Sequence, residues 1–144
     1  MKDRIAIVIF GNTFNDNKRL KEAFEKTTTL LGVKANDVVV IANDMKDNTL
    51  VEELCDSYGV KVKFQLTKWK DYDDKPCVIR KQNGHRYNFF AVMNRNSRMM
   101  RFVSKAEKKA LIVVYSEENM NVEQLLRTAK KYNVKIAKIK YKGE

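Results

Sequence analysis

The stretch Ala110–Lys140, ALIVVYSEENMNVEQLLRTAKKYNVKIAKIK, decides the fold. It opens on an apolar run, Ala110 to Tyr115, rich in β-branched side chains and followed by polar residues, which reads as a buried strand. Beyond the SEEN loop, Val122, Leu125, Leu126, Ala129 and Tyr132 recur at a spacing that gathers them on one helix face. The following YNVK sets Asn133 where a left-handed residue ends a helix, and Val134 to Ile139 form a second strand. Two strands joined by a helix-length crossover lie parallel.

The same unit recurs upstream. Apolar runs stand at Ile5 to Phe10, Val38 to Ile41 and Val60 to Phe64. Between them, Leu20, Ala23, Phe24, Thr27 and Leu31 share one helix face, as do Leu50, Val51, Leu54, Cys55 and Tyr58. LGVK and YGVK place Gly32 and Gly59 where YNVK places Asn133, so three helices carry one stop signal. Their starts have caps in Asp16 or Asn17, in Asn48 with Thr49 and Glu52, and in Asn119 or Asn121. Alternating strands and helices predict an α/β fold with a mostly parallel sheet of about five strands. With no linker or low-complexity tract, residues 1–144 read as one domain.

One segment breaks the alternation. In CVIRKQNGHRYNFF, apolar or aromatic runs flank Asn83-Gly84, the strongest short signal for a type I′ turn, so a hairpin is expected as an insertion at about residues 76–91. His85, the only histidine, stands beside the turn as a solvated loop residue, with no Ser, Cys or Asp arranged to form a triad. The hairpin leads into VMNRNSRMMRFV, Val92 to Val103. Here Val92, Met99, Met100, Phe102 and Val103 gather on one side and Arg98, Arg101 and Lys105 on the other, with Asn96 inside the apolar arc. An unpartnered buried amide costs about 1–3 kcal/mol, so Asn96 must satisfy the backbone or reach something bound. The expectation is an amide near the helix start, bordering a strand-end crevice.

Composition narrows the classes. Hydrophobic content of 44% with 33% charged residues describes a globular chain, and the two cysteines, Cys55 and Cys77, supply no disulfide framework. Cys55 reads as core and Cys77 as the start of the hairpin. The apolar run in MKDRIAIVIFGN is too short for a secretory signal, and no stretch approaches the roughly 18 apolar residues of a membrane span. The expected location is therefore cytoplasmic, with no membrane partner. The net charge of +11 is uneven: residues 1–60 hold 8 basic and 10 acidic side chains, and residues 61–144 hold 21 basic and 8 acidic. The second part offers a positive field to nucleotides, nucleic acid or acidic proteins.

Ligands of open parallel sheets collect at the carboxyl ends of strands. The loops GNTFND, NDMKDN and SEENMN hold that place here. The first has one glycine, Gly11, so the GxGxxG and GxxxxGK[ST] phosphate motifs are absent. HExxH, CxxC and EF-hand spacings are absent too, and no cofactor or metal is expected. Glu117 and Glu118 in the third loop repel phosphate, which Arg95 and the N-terminus of the RNSRMM helix would serve better. Trp69 and Tyr72 in KWKDYDD either stack on a base or cover the sheet's edge. KIAKIKYKGE alternates lysines with apolar residues as a protected edge strand or a nucleic-acid groove does.

The order of these pieces resembles the SLOG superfamily, the nucleotide-binding domains named for Smf/DprA and the Lonely Guy proteins, and in particular its small single-domain YspA-like branch. YNFFAVMNRNSRM matches that branch's Y-N-x-x-A-G-x-x-R-N-x-x-M block at Tyr87, Asn88, Ala91, Arg95, Asn96 and Met99, with Val92 for the glycine. IVIFGNTFND keeps Gly11, Phe14 and Asp16 of strand-G-S-R-x-F-x-D, and ANDMKDNTL keeps Leu50 of the second motif without its glycines. The glycine-rich loop before the last helix is replaced by SEENMNVEQLL. Without glycine the backbone cannot approach a pyrophosphate as closely. The resemblance implies a Rossmann-like three-layer sandwich and a non-catalytic site for a nucleotide or nucleotide-derived ligand. That site would hold Gly11, Asn12, Thr13, Asn43, Asn48, Arg95, Asn96, Ser116 and Asn119.

Such a protein would act as a sensor or sequestering protein of a bacterium or its phage, in the host cytoplasm if viral, and as a homo-oligomer, a dimer. The main alternative is nucleic-acid binding through Arg98, Arg101, Lys105, Lys108, Lys109 and the terminal lysines. Further alternatives are an N-glycosidic hydrolase using Glu123 or Asp16, and a partner-binding protein whose fold has lost its ligand.

Overall fold

The computed structural model describes residues 5–11, 16–43, 49–115 and 120–140. In chain order the elements are β1 (Ile5–Phe10), α1 (Asn17–Leu31), a single 3-10 turn (Ala35–Asp37), β2 (Val39–Asn43), α2 (Thr49–Tyr58) and β3 (Lys61–Gln65). There follow β4 (Ile79–Gln82), β5 (His85–Asn88), α3 (Ala91–Ser104), β6 (Lys108–Tyr115), α4 (Met120–Lys131) and β7 (Lys135–Lys140).

Five strands form one sheet in the order β3-β2-β1-β6-β7, all parallel, with registers such as Ile7 to Val40, Ile7 to Ala110 and Leu111 to Ile136. The fold is the expected α/β three-layer sandwich. Central β1 has helices over both faces, which is why it reads as an unbroken apolar run. Ile7 and Ile9 pack with Leu20, Phe24, Val51 and Leu54 of α1 and α2, whereas Ala6, Val8 and Phe10 pack with Met99, Met100, Val103 and Leu125 of α3 and α4. Each of the valine, leucine, isoleucine, methionine and phenylalanine side chains among these contributes roughly 1.5–3 kcal/mol when fully buried. No helix among the described residues is long and apolar enough to cross a membrane.

The shared stop signal is one repeated device. Gly32, Gly59 and Asn133 take φ of +69°, +65° and +58°. Each is followed by a valine whose N–H reaches back five residues, Val33 to Thr28 O at 3.0 Å, Val60 to Cys55 O at 2.9 Å and Val134 to Ala129 O at 2.9 Å. These are Schellman closures. At the other end of α1, Asp16 accepts a hydrogen bond from Arg19 N at 3.1 Å.

The winding reverses where the chain returns from edge strand β3 to β6, beside β1. The connection, residues 66–90, runs along the carboxyl end of the sheet and carries β4 and β5 as a separate antiparallel hairpin. Asn83 and Gly84 have φ of +52° and +78°, the type I′ geometry expected of Asn-Gly. The following helix starts earlier than its sequence suggests. Asn88 Oδ1 accepts from Phe90 N at 3.0 Å, and Asn94 N donates to Phe90 O at 2.9 Å, so α3 begins at Ala91 and Asn96 lies in its second turn.

Candidate functional site

The topological switch lies between β1 and β6, and the residues expected to bind a ligand are distributed around it. Asn12, Thr13, Asn48, Ser116 and Asn119 lie outside the described residues. Gly11 and Asn43, at the ends of β1 and β2, join across the strands. Asn43 Oδ1 accepts from Gly11 N at 3.1 Å, and Asn43 Nδ2 donates to Gly11 O at 2.7 Å. Asn43 is 4% exposed. Its amide thus fixes the path by which the chain leaves β1.

Asn96 is wholly buried and acts inside the protein. Its Oδ1 accepts from Arg95 Nε at 3.3 Å and Nη2 at 3.0 Å, and its Nδ2 donates to Gln124 Oε1 at 3.2 Å. Arg95 Nη1 donates to Thr67 Oγ1 at 2.7 Å, and the guanidinium carbon stands 5.6 Å from the centre of the Phe10 ring. One network therefore joins the end of β1, the segment after β3, α3 and α4. It explains an amide on an apolar arc: the buried oxygen and nitrogen both have partners.

A second amide network holds the crossover. Asn88 Nδ2 donates to Asp74 O at 3.0 Å, and Asn94 Nδ2 donates to Asp74 O at 3.2 Å and Pro76 O at 3.0 Å. Arg98 Nη1 reaches both Asp74 carboxylate oxygens at 2.9 and 3.0 Å, while Nη2 donates to Leu66 O at 3.1 Å. Arg98 is therefore engaged in bracing this loop. The other cations expected to meet nucleic acid sit elsewhere. Arg101 and Lys105 are exposed toward the end of α3, and Lys108 and Lys109 open β6 at the amino end of the sheet, Lys109 Nζ donating to Ser104 O at 3.1 Å. Asp16 caps α1, and Glu123 is exposed in the first turn of α4.

Between the hairpin and the first turns of α3 and α4 lies a cleft of about 740 Å³. Its walls are Trp69, Tyr87, Phe89, Phe90, Val92, Met93 and Met120, and Gln82, Asn83, His85 and Asn121 supply polar groups. Volume and lining are those of a small-molecule site. Trp69 stands edge-on to Tyr87 with ring centres 6.0 Å apart, and Phe89 edge-on to Phe90 at 5.3 Å. Trp69, Phe89 and Met120 are 47%, 40% and 75% exposed, so apolar surface faces solvent here. The Arg80 guanidinium stacks on Phe89, 3.8 Å from its ring centre, placing a cation at the wall. Asn96 and Gln124 lie about one turn further along α3 and α4, so their hydrogen bond ties together the helices that bound the cleft.

Of the cleft residues, sequence reasoning singled out Trp69 as a candidate stacking residue and noted His85. It missed Phe89, Phe90, Met93 and Met120, and it gave Tyr87 no role beyond a motif match. A signal was present: from Lys75 to Ala106 the chain holds eight Lys or Arg residues and no Asp or Glu, and this stretch contains the hairpin. No protein-family model and no curated protein sequence matches this chain.

Proposed function

We propose that the protein binds a nucleotide or nucleotide-derived ligand, with the flat base lodged in the aromatic cleft, and that it works as a non-catalytic sensor or sequestering module. The observation that carries this reading is the cleft itself, rings from two segments, Trp69 and Tyr87 to Phe90, with Arg80 at its wall, located at the carboxyl end of a parallel sheet. Rings of this kind stack on a heteroaromatic base, and a cation beside them answers the charge of a phosphate. The resemblance to SLOG domains supports the same ligand class.

The test is calorimetric titration of nucleoside mono-, di- and triphosphates and cyclic dinucleotides into the wild-type protein and into Val92→Trp, which fills the cleft. The reading expects saturable one-to-one binding by at least one of these compounds, lost in Val92→Trp. Binding that survives with the cleft filled contradicts it.

A further inference from the structure

The hairpin has two faces, and both carry positive charge. Opposed residues in an antiparallel ladder point to the same side, so Arg80 with Tyr87 and Gln82 with His85 form the face that lines the cleft. Lys81 and Arg86 oppose each other on the other face, and both are exposed. Side chains so paired have Cβ atoms about 4.5–5.5 Å apart, and like charges there destabilise the ladder. Among the described residues no carboxylate pairs with Arg80, Lys81 or Arg86. The nearest acidic group along the chain, Asp74, is engaged by Arg98 and Asn94 on the body side. The ribbon thus holds cations on both of its faces without a carboxylate partner among the described residues, beside a row of stacking rings.

A free nucleotide in the cleft would meet Arg80 and leave the Lys81–Arg86 pair unanswered. A polyanion that continues past the cleft and over the ribbon would meet all three. A second copy of this chain would bring a like-charged ribbon to the same place. We propose that the ligand of the cleft is a nucleotide within a single-stranded nucleic acid, its base stacked among Trp69, Tyr87 and Phe89 and its neighbouring phosphates held by Arg80, Lys81 and Arg86. This rests on the nucleotide reading above and extends it from a small molecule to a strand. Aromatic platforms flanked by basic side chains are the general means of holding unpaired bases.

The experiment measures fluorescence anisotropy of labelled single strands of about 12 nucleotides, one DNA and one RNA, across a salt series. Nucleoside monophosphates and a DNA duplex of equal length are the competitors. The proteins are wild type, Phe89→Ala and the double variant Lys81→Gln/Arg86→Gln, whose positions are exposed. The proposal expects a strand to bind at least about 100-fold more tightly than the monophosphates, and the DNA and RNA arms say which strand is preferred. Phe89→Ala should weaken it at least about fivefold. The double variant should lower the slope of log affinity against log salt by about 1.4, two contacts at roughly 0.7 each. Monophosphates that bind as tightly as the strands, with a slope indifferent to the double variant, overturn the strand and leave the nucleotide reading standing. A duplex that outcompetes the single strands also overturns it. Binding of neither strand nor monophosphate overturns the strand, and the nucleotide reading is then decided by the calorimetric titration of the di- and triphosphates and cyclic dinucleotides.

Discussion

Asn43 and Gly11 hold each other by both ends of one carboxamide, the oxygen taking the Gly11 N–H at 3.1 Å and the nitrogen giving a hydrogen bond to the Gly11 carbonyl at 2.7 Å. Two neighbouring strands are thereby locked where the chain leaves the sheet. Asn43→Ala leaves a buried donor and a buried acceptor without their partner, at a cost of about 2–4 kcal/mol. Urea unfolding measures it, and a loss below about 0.5 kcal/mol would show that the pair contributes little.

A graded response is expected at Asn96. Asn96→Ala removes the oxygen that accepts two Arg95 hydrogen bonds and the donor to Gln124, and should destabilise by about 2–3 kcal/mol. Asn96→Asp retains an acceptor against the guanidinium and should be milder. Equal losses in the two variants would mean that packing, not the hydrogen bond to Arg95, sets the cost.

Arg98 and Asp74 form a partly exposed ion pair, side chains 23% and 16% accessible, so its coupling is modest. A double-mutant cycle with Arg98→Met and Asp74→Asn should return about 1 kcal/mol. Because Arg98 braces the crossover, Arg98→Met should also raise proteolytic cleavage between residues 66 and 76 while leaving the salt slope of strand binding unchanged. A slope that falls with Arg98→Met would return this arginine to the nucleic-acid surface.

The thiols should separate. Burial, with the Asp56 charge adding to it, pushes the Cys55 thiol from the ordinary 9.0 up to about 11, whereas Cys77 is half-buried beside the hairpin. At pH 8 a thiol reagent should modify Cys77 quickly in the native protein and reach Cys55 only on unfolding. The sign of the pH effect follows from the raised value: the folded state holds the proton more tightly, so this contribution to stability is complete below pH 9 and disappears as pH rises toward 11. Cys55→Ala should flatten that part of the stability profile. Two equally fast thiols at pH 8 would contradict the burial argument.

The strands and helix stops were legible in the sequence because each rests on local chemistry. A strand covered on both faces is a continuous apolar run, and a left-handed residue before valine closes a helix wherever it occurs. The hairpin was legible for the same reason, since Asn83-Gly84 determines its own turn. The start of α3 was not, because it follows a local turn in which Asn88 Oδ1 accepts from Phe90 N, with no side-chain cap on the helix itself. The cleft was legible only in fragments. Trp69, Tyr87 with Phe89, Met93 and Met120 meet only once the crossover folds the hairpin over α3 and α4, and no spacing along the chain encodes that meeting. Arg98 was misleading by periodicity alone: it lies on the polar side of the helix, yet its partner Asp74 comes from a loop.

Trp69 is the only tryptophan in the chain and stands in the cleft wall, so its fluorescence reports the cleft directly. The most direct measurement is therefore its emission during titration with nucleoside phosphates and short single strands, in wild type and in Phe89→Ala. Saturable quenching that weakens in Phe89→Ala is the predicted result. Emission that stays constant through the titration, or quenching indifferent to Phe89, would contradict a nucleotide in this cleft.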